Sequence, residues 1–409
     1  MKRKTSIPLT IAFIVLLGAI ITVVVFQLFD TAHFYFSLAG QSQAVATDNS
    51  PKRLENPPKD IKAIYLTAYT ASDDKRMAEI IDLVNKTELN AVVIDLKDYS
   101  GHILFDTQSD FLKKFGTEKV LIKDLKGLIN KLHQNGIYTI GRITVFQDPV
   151  LAEARPHLAV KNKQTGGLWK DNKGLAWLDP AAPEVWNYIY VLSKSAMHYG
   201  FDELNFDYIR FPSDGILSNM DFPFYNGQTE KSEVLKDFFE YLSANLRPWG
   251  IKISADVFGL TTVFHHDMNI GQIFENFLPY FDYICPMVYP SHYESGFLNY
   301  QNPAAHPYEV IKYSLDQAQE RINKFKQEQL QNNQDQNLKV AVLRPWLQNF
   351  DLGATYNASM IIKEKEAVYD SLCPNWKTEG FDNCSNYRGW FLWDPKNIYT
   401  PSALEQETP

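Results

Sequence analysis

The sequence predicts an α/β fold, a (β/α)8 TIM barrel preceded by an N-terminal transmembrane anchor, and three observations point to the barrel. Eight short apolar runs rich in β-branched and aromatic residues alternate with longer amphipathic segments across residues 61–394. The first run leads into "TASDD", without the glycine-rich phosphate turn that an open dinucleotide-binding sheet places there. Polar residues within the runs share one parity and gather at the carboxyl ends, where barrels carry their chemistry.

The chain opens with Lys2, Arg3 and Lys4 before an uncharged, mostly apolar run over residues 7–29. At ~1.5 Å rise per residue this run can cross a bilayer, with the basic flank left in the cytoplasm. It exceeds the apolar region of roughly 7–15 residues in a cleaved signal peptide. Residues 1–30 are therefore expected to be a cytoplasmic tip and signal anchor, with the lipid bilayer as a partner. "SLAGQSQAVA" also offers small residues for cleavage, which would release a secreted protein. Residues 31–60 read as a linker, 61–396 as the barrel and 397–409 as a C-terminal tail.

The strand candidates are 61–69, 90–98, 137–144, 203–209, 251–259, 281–289, 338–346 and 388–394. Helical patterns fall between them at 73–88, 120–135, 183–199, 231–247, 270–278, 305–328 and 357–370. Eight repeats over this length fit a barrel with insertions. Little chain follows Asp394, so the eighth helix is expected to be short, absent or replaced by chain from before the first strand. The run "FKQEQLQNNQDQN" reads as a polar extension into a loop.

Composition narrows the partners. A chain of 409 residues with 45% hydrophobic and 14% aromatic content can bury a large core. A net charge of -8 argues against nucleic acid, which is usually met by a basic patch. The oligomeric state is not legible. Cys373 and Cys384 bracket "CPNWKTEGFDNC" and could close it as a disulfide outside the cytoplasm, three free thiols being the alternative. Cys285 sits in an apolar run and reads as a buried thiol.

The site candidates come from strand parity. Asp95 and Lys97 alternate together, as do Arg142 and Thr144, Asn205 and Asp207, Ser254 and Asp256, and Arg344 and Trp346. Asp98 and Asp394 close their runs, and Arg210 follows Asp207. A buried carboxylate without a partner is very unfavourable. The aspartates with Lys97, Arg142, Arg210 and Arg344 are therefore expected to form one paired cluster around a cavity. For any single aspartate, a helix cap or a structural ion pair is the alternative. Tyr289, Trp346 and Trp393 could serve as platforms for sugar rings, or as core. No nucleophile elbow, phosphate loop or spaced metal-ligand motif is present, and "HHD" at 265–267 reads as a solvated loop, so neither cofactor nor metal is expected.

These residues lead to a resemblance. "FDYIRFPSDG" (206–215), with "DLKDYSG", "WLDP", "ADVFG", "PMVYPSHY", "RPWLQ" and "GWFLWDP", resembles the bacterial family of predicted glycosyl hydrolase domains over about residues 62–396. The resemblance implies a TIM barrel acting on carbohydrate. A more distant similarity to glycoside hydrolase family 13 implies a strand-four Asp nucleophile, matched by Asp207, and a strand-five Glu acid, where this chain has the shorter Asp256. The expected function is a membrane-anchored, extracytoplasmic glycosidase, retaining, with Asp207 as nucleophile and Asp256 as acid. A non-catalytic glycan-binding barrel is the alternative, and a metal-dependent deacetylase would need convergent His and Asp ligands.

Overall fold

The computed structural model describes residues 52–331 and 339–406. The expected anchor and most of the linker lie outside these residues. Among the described residues, no helix is long and apolar enough to cross a membrane.

Eight parallel strands close on themselves: β1 (Ile61–Leu66), β2 (Ala91–Lys97), β3 (Tyr138–Thr144), β4 (Glu203–Asp207), β5 (Lys252–Phe258), β6 (Tyr283–Met287), β7 (Val342–Leu343 and Trp346–Gln348) and β8 (Gly389–Trp393). Each pairs with its sequence neighbours, and β1 pairs with both β2 and β8, so the barrel has no edge. The seam between β1 and β8 depends on Gly389 (φ +93°), because a Cβ there would sit 1.8 Å from the Ile61 carbonyl oxygen. Strand β7 breaks at Pro345, which has no N–H for the ladder. Its neighbours keep pairing, as Arg344 N donates to Ile284 O and Phe391 N to Pro345 O, each at 2.9 Å.

Among the described residues, seven helices connect successive barrel strands: α1 (Asp74–Lys86), α2 (Leu125–Gln134), α3 (Pro183–Met197), α4 (Lys231–Leu246), α5 (Phe274–Phe277), α6 (Pro307–Gln331) and α7 (Ala358–Leu372). Short helical turns at Ala68–Ala71, Asp110–Lys113, Pro149–Ala154 and Trp376–Glu379 lie in the connections. The start of "FKQEQLQNNQDQN" therefore continues helix α6 as far as Gln331 instead of leaving as a loop. The eighth barrel helix is absent among the described residues, where only the 3-10 turn Pro401–Ala403 follows β8. Its place is taken by residues 397–406, where Asn397 Nδ2 donates to Tyr65 O at 3.0 Å, Ala403 and Leu404 are buried, and Glu405 O accepts from Glu88 N at 2.8 Å. The stretch read from sequence as a tail is part of the barrel wall up to Gln406.

Two separate apolar clusters result. One lies between strands and helices; the other fills the barrel interior and includes Ala63, Tyr65, Val93, Ile140, Cys285 and Phe391. At the amino-terminal end, Leu54 packs against that interior, its N–H bound to Asp202 Oδ1 at 2.7 Å, while Arg53 Nη1 donates to Gly250 O at 2.7 Å. The end of the expected linker thus closes the floor. Cys373 and Cys384 are joined, with Cα atoms 5.1 Å apart, and Cys285 is buried and free.

Candidate active site

Asn205 and Asp207 share the inward parity of β4, and β5 lies beside it with Asn205 opposite Ser254. Continuing that register brings Asp207 and Asp256 to the same height. Strand β4 ends there because Tyr208 takes a left-handed conformation (φ +53°), which an aromatic residue adopts only under constraint. The turned backbone donates Tyr208 N–H to Asp207 Oδ1 at 2.6 Å.

One guanidinium organises three carboxyl groups. Arg142 Nη1 donates to Asp95 Oδ1 at 2.6 Å, Nη2 donates to Asp207 Oδ2, and Nε lies 3.8 Å from Asp256 Oδ2. Tyr65 donates to Asp95 Oδ2 at 2.5 Å. Asp256 Oδ1 accepts from Asn205 Nδ2 at 2.8 Å and Trp346 Nε1 at 2.7 Å. Burial, reinforced by the neighbouring Asp207, pushes the Asp256 carboxyl well above the usual carboxylate range. Burial also raises Asp95, against the pull of Arg142. A single cation cannot balance three carboxylates, so the proton belongs on the carboxyl most removed from water. Asp256 is 1% exposed and Asp207 7%.

An aromatic wall stands over the group. Tyr289 lies 5.4 Å from Trp393 and 5.8 Å from Phe350, and Tyr65 lies 5.9 Å from Trp393, measured between ring centroids. Tyr289 and Trp346 are buried, whereas Trp393 keeps partial exposure.

The remaining candidates do not join one cluster. Arg344 lies on the floor, where Nη1 donates to both oxygens of Glu203 at 2.9 Å, and both side chains are 0% exposed. Lys97 leaves the inward face because the ladder slips by one residue between Asp95 and Lys97, a bulge that re-aims the side chain. Its ammonium donates to Thr144 O at 2.6 Å and pairs with Asp148 at 3.0 Å, out of solvent. Asp98 accepts from Ser100 N at 2.9 Å and Asp394 from Lys396 N at 2.6 Å, so both brace their own turns. Arg210 forms no ion pair with Asp207; its partners are Phe211 O and Ser213 Oγ, each at 3.1 Å. Three residues that the sequence did not single out join these groups: Tyr65, Glu203 and Asp148. Tyr65 and Glu203 share the inward parity and were legible on that ground, whereas Asp148 lies beyond the end of β3 and meets Lys97 only through the fold.

Residues 63–399 match the model of a family described as "Putative glycosyl hydrolase domain". No curated protein matches the chain. Among solved structures, a hypothetical protein from Ruminiclostridium thermocellum ATCC 27405 is 39% identical, covering 47% of this chain and 97% of that one, with a TM-score of 0.44. The PgaB (BpsB) glycoside hydrolase domain from Bordetella bronchiseptica is 12% identical, covers 83% of this chain and 95% of its own, and has a TM-score of 0.55. The second is a likeness of fold.

Proposed function

The chain belongs to this glycosyl hydrolase domain family, and on that premise we propose that it is a membrane-anchored, extracytoplasmic glycoside hydrolase acting on a polysaccharide or a cell-envelope glycan. The observation that carries the reading is the sharing of Arg142 among Asp95, Asp207 and Asp256, with Asp256 raised by burial. A carboxyl raised in this way holds a proton for acid work. In a retaining course, Asp207 attacks the anomeric carbon while Asp256 gives its proton to the departing glycosidic oxygen. Asp256 then takes a proton from the water that releases the sugar from Asp207. Contact of both carboxyls with one guanidinium supports the closer spacing that this course needs.

The extracytoplasmic placement rests on Lys2 to Lys4 before the apolar run, and on the linked Cys373 and Cys384. Arg53 and Leu54 meet the barrel at its floor, so a tether there leaves the Asp207 end clear. The test is to incubate the full chain in detergent with bacterial envelope glycans and with α- and β-linked polysaccharides. Release of reducing ends, abolished in Asp207→Asn, is expected. Tight binding of a glycan without cleavage would replace this reading with that of a glycan-binding barrel.

A further inference from the structure

Arg210 is a buried cation with no anion in ion-pair contact among the described residues. It is 7% exposed, and among the described residues no carboxylate lies within 4.0 Å of it. Its guanidinium lies in an aromatic slot, 4.7 Å from Trp177, 4.7 Å from Phe258 and 5.3 Å from Tyr208. Nη1 serves Phe211 O and Ser213 Oγ. Nε and Nη2 have no protein acceptor among the described residues, yet neither is among the buried polar atoms sealed from water without a partner. Burial lowers the Arg210 pKa against the pull of Tyr208, Asp207, Asp214 and Asp171, the three carboxylates among them standing beyond ion-pair distance, so the protein holds this charge at some expense.

Its position ties the feature to the active site. Arg210 is three residues beyond Asp207, and it stacks on Phe258, two residues beyond Asp256. Arg210 therefore sits at the carboxyl ends of β4 and β5, within electrostatic reach of Asp207. Nε and Nη2 of a guanidinium are coplanar and parallel, the fork that binds both oxygens of a carboxylate. An ion pair shielded from water by three aromatic faces discriminates more than an exposed one.

We propose that Arg210 is a specificity determinant that receives the carboxylate of an acidic sugar, so that the substrate is an acidic glycan. The carboxylate can come from the C6 of a uronic acid or from a carboxyl-bearing ether substituent on the ring. This inference rests on the glycosidase reading of the same site and names its substrate class.

The test uses the full chain carrying Asp207→Asn, which separates binding from turnover. Calorimetric titration compares uronate oligosaccharides, lactyl-ether amino-sugar oligosaccharides and the carboxyl-reduced form of each. Preference for one acidic form over its reduced partner by roughly ten- to hundred-fold is expected, the range of a charge-assisted hydrogen bond, and the series that shows it identifies the source. Adding Arg210→Gln should bring that ratio close to one. Arg210→Lys keeps the charge without the fork and should retain only part of it, which decides the matter if Arg210→Gln does not fold. Equal binding of acidic and reduced forms, or a ratio indifferent to both substitutions, overturns the inference. The glycosidase reading has a separate test: wild-type protein that cleaves neutral glycans without acid preference leaves catalysis standing and removes only the role of Arg210. A protein that binds acidic glycans through Arg210 but cleaves nothing does the reverse.

Discussion

The two ends of the barrel interior handle charge in opposite ways. On the floor, Glu203 and Arg344 match one to one, both sealed, with Ser254 Oγ adding a third bond to Glu203 at 2.6 Å. At the mouth, Arg142 faces three carboxyl groups while Arg210 faces none within ion-pair reach. A matched buried pair holds its protons fixed and contributes rigidity. An unmatched set must store a proton or wait for a ligand charge, which are properties of a reacting site. Buried charge alone therefore does not mark the site; its stoichiometry does.

The largest test of this contrast is Asp207→Asn. Turnover is expected to fall by about three orders of magnitude or more, as for loss of a nucleophile. The melting temperature should change little, because Arg142 keeps Asp95. A destabilised variant with normal turnover would make Asp207 a floor-type residue and erase the distinction.

Glu203→Gln should show the opposite profile. Removing one partner of a buried pair costs about 3–5 kcal/mol, here by leaving the Arg344 charge alone in the interior. Denaturant unfolding should register that loss, while turnover per folded molecule stays near wild type. Unchanged stability would mean that the floor pair is not structural.

Asp256→Asn reads the stored proton. A carboxyl whose folded pKa is raised supplies stability that is complete below its unfolded value, near pH 4, and is lost as pH rises through the folded value. Every tenfold gain in proton affinity on folding corresponds to about 1.4 kcal/mol. The wild type should therefore lose stability relative to Asp256→Asn, which does not titrate, as pH rises above about 4 and through the raised folded value. Glu364, buried and raised in the same way, should give a curve of the same sign in Glu364→Gln. Parallel stability curves for wild type and Asp256→Asn would remove the proton from Asp256.

The smallest effect belongs to the N-terminus. Deleting residues 1–30 should leave a soluble domain with unchanged melting temperature. Deleting residues 1–60 also removes Arg53 and Leu54 from the floor and should lower it. Equal melting of the two truncations would show that the plug contributes nothing.

Much of this protein was legible in the sequence because it is local. Alternation at period two and amphipathicity at period 3.6 place the eight barrel strands and the seven helices between them within a few residues. They miss strands Ile103–Phe105 and Glu118–Ile122 in the β2–β3 connection and the helical turn Ala68–Ala71. The inward parity of Asp95, Arg142, Asn205, Asp207 and Asp256 follows from the pleat. Which charge meets which is not local. Arg344 finds Glu203 from 141 residues away, and Arg142 draws on three other strands. Parity could not separate Arg142 from Arg344, since both point inward; only their heights in the closed barrel do so. The bulge that withdraws Lys97, and the aromatic slot that leaves Arg210 without an ion-pair partner among the described residues, depend on neighbours brought together by closure. Side-chain direction is set by the backbone of a single strand, whereas partnership and protonation depend on distance and dielectric between strands, and these exist only once the barrel has closed.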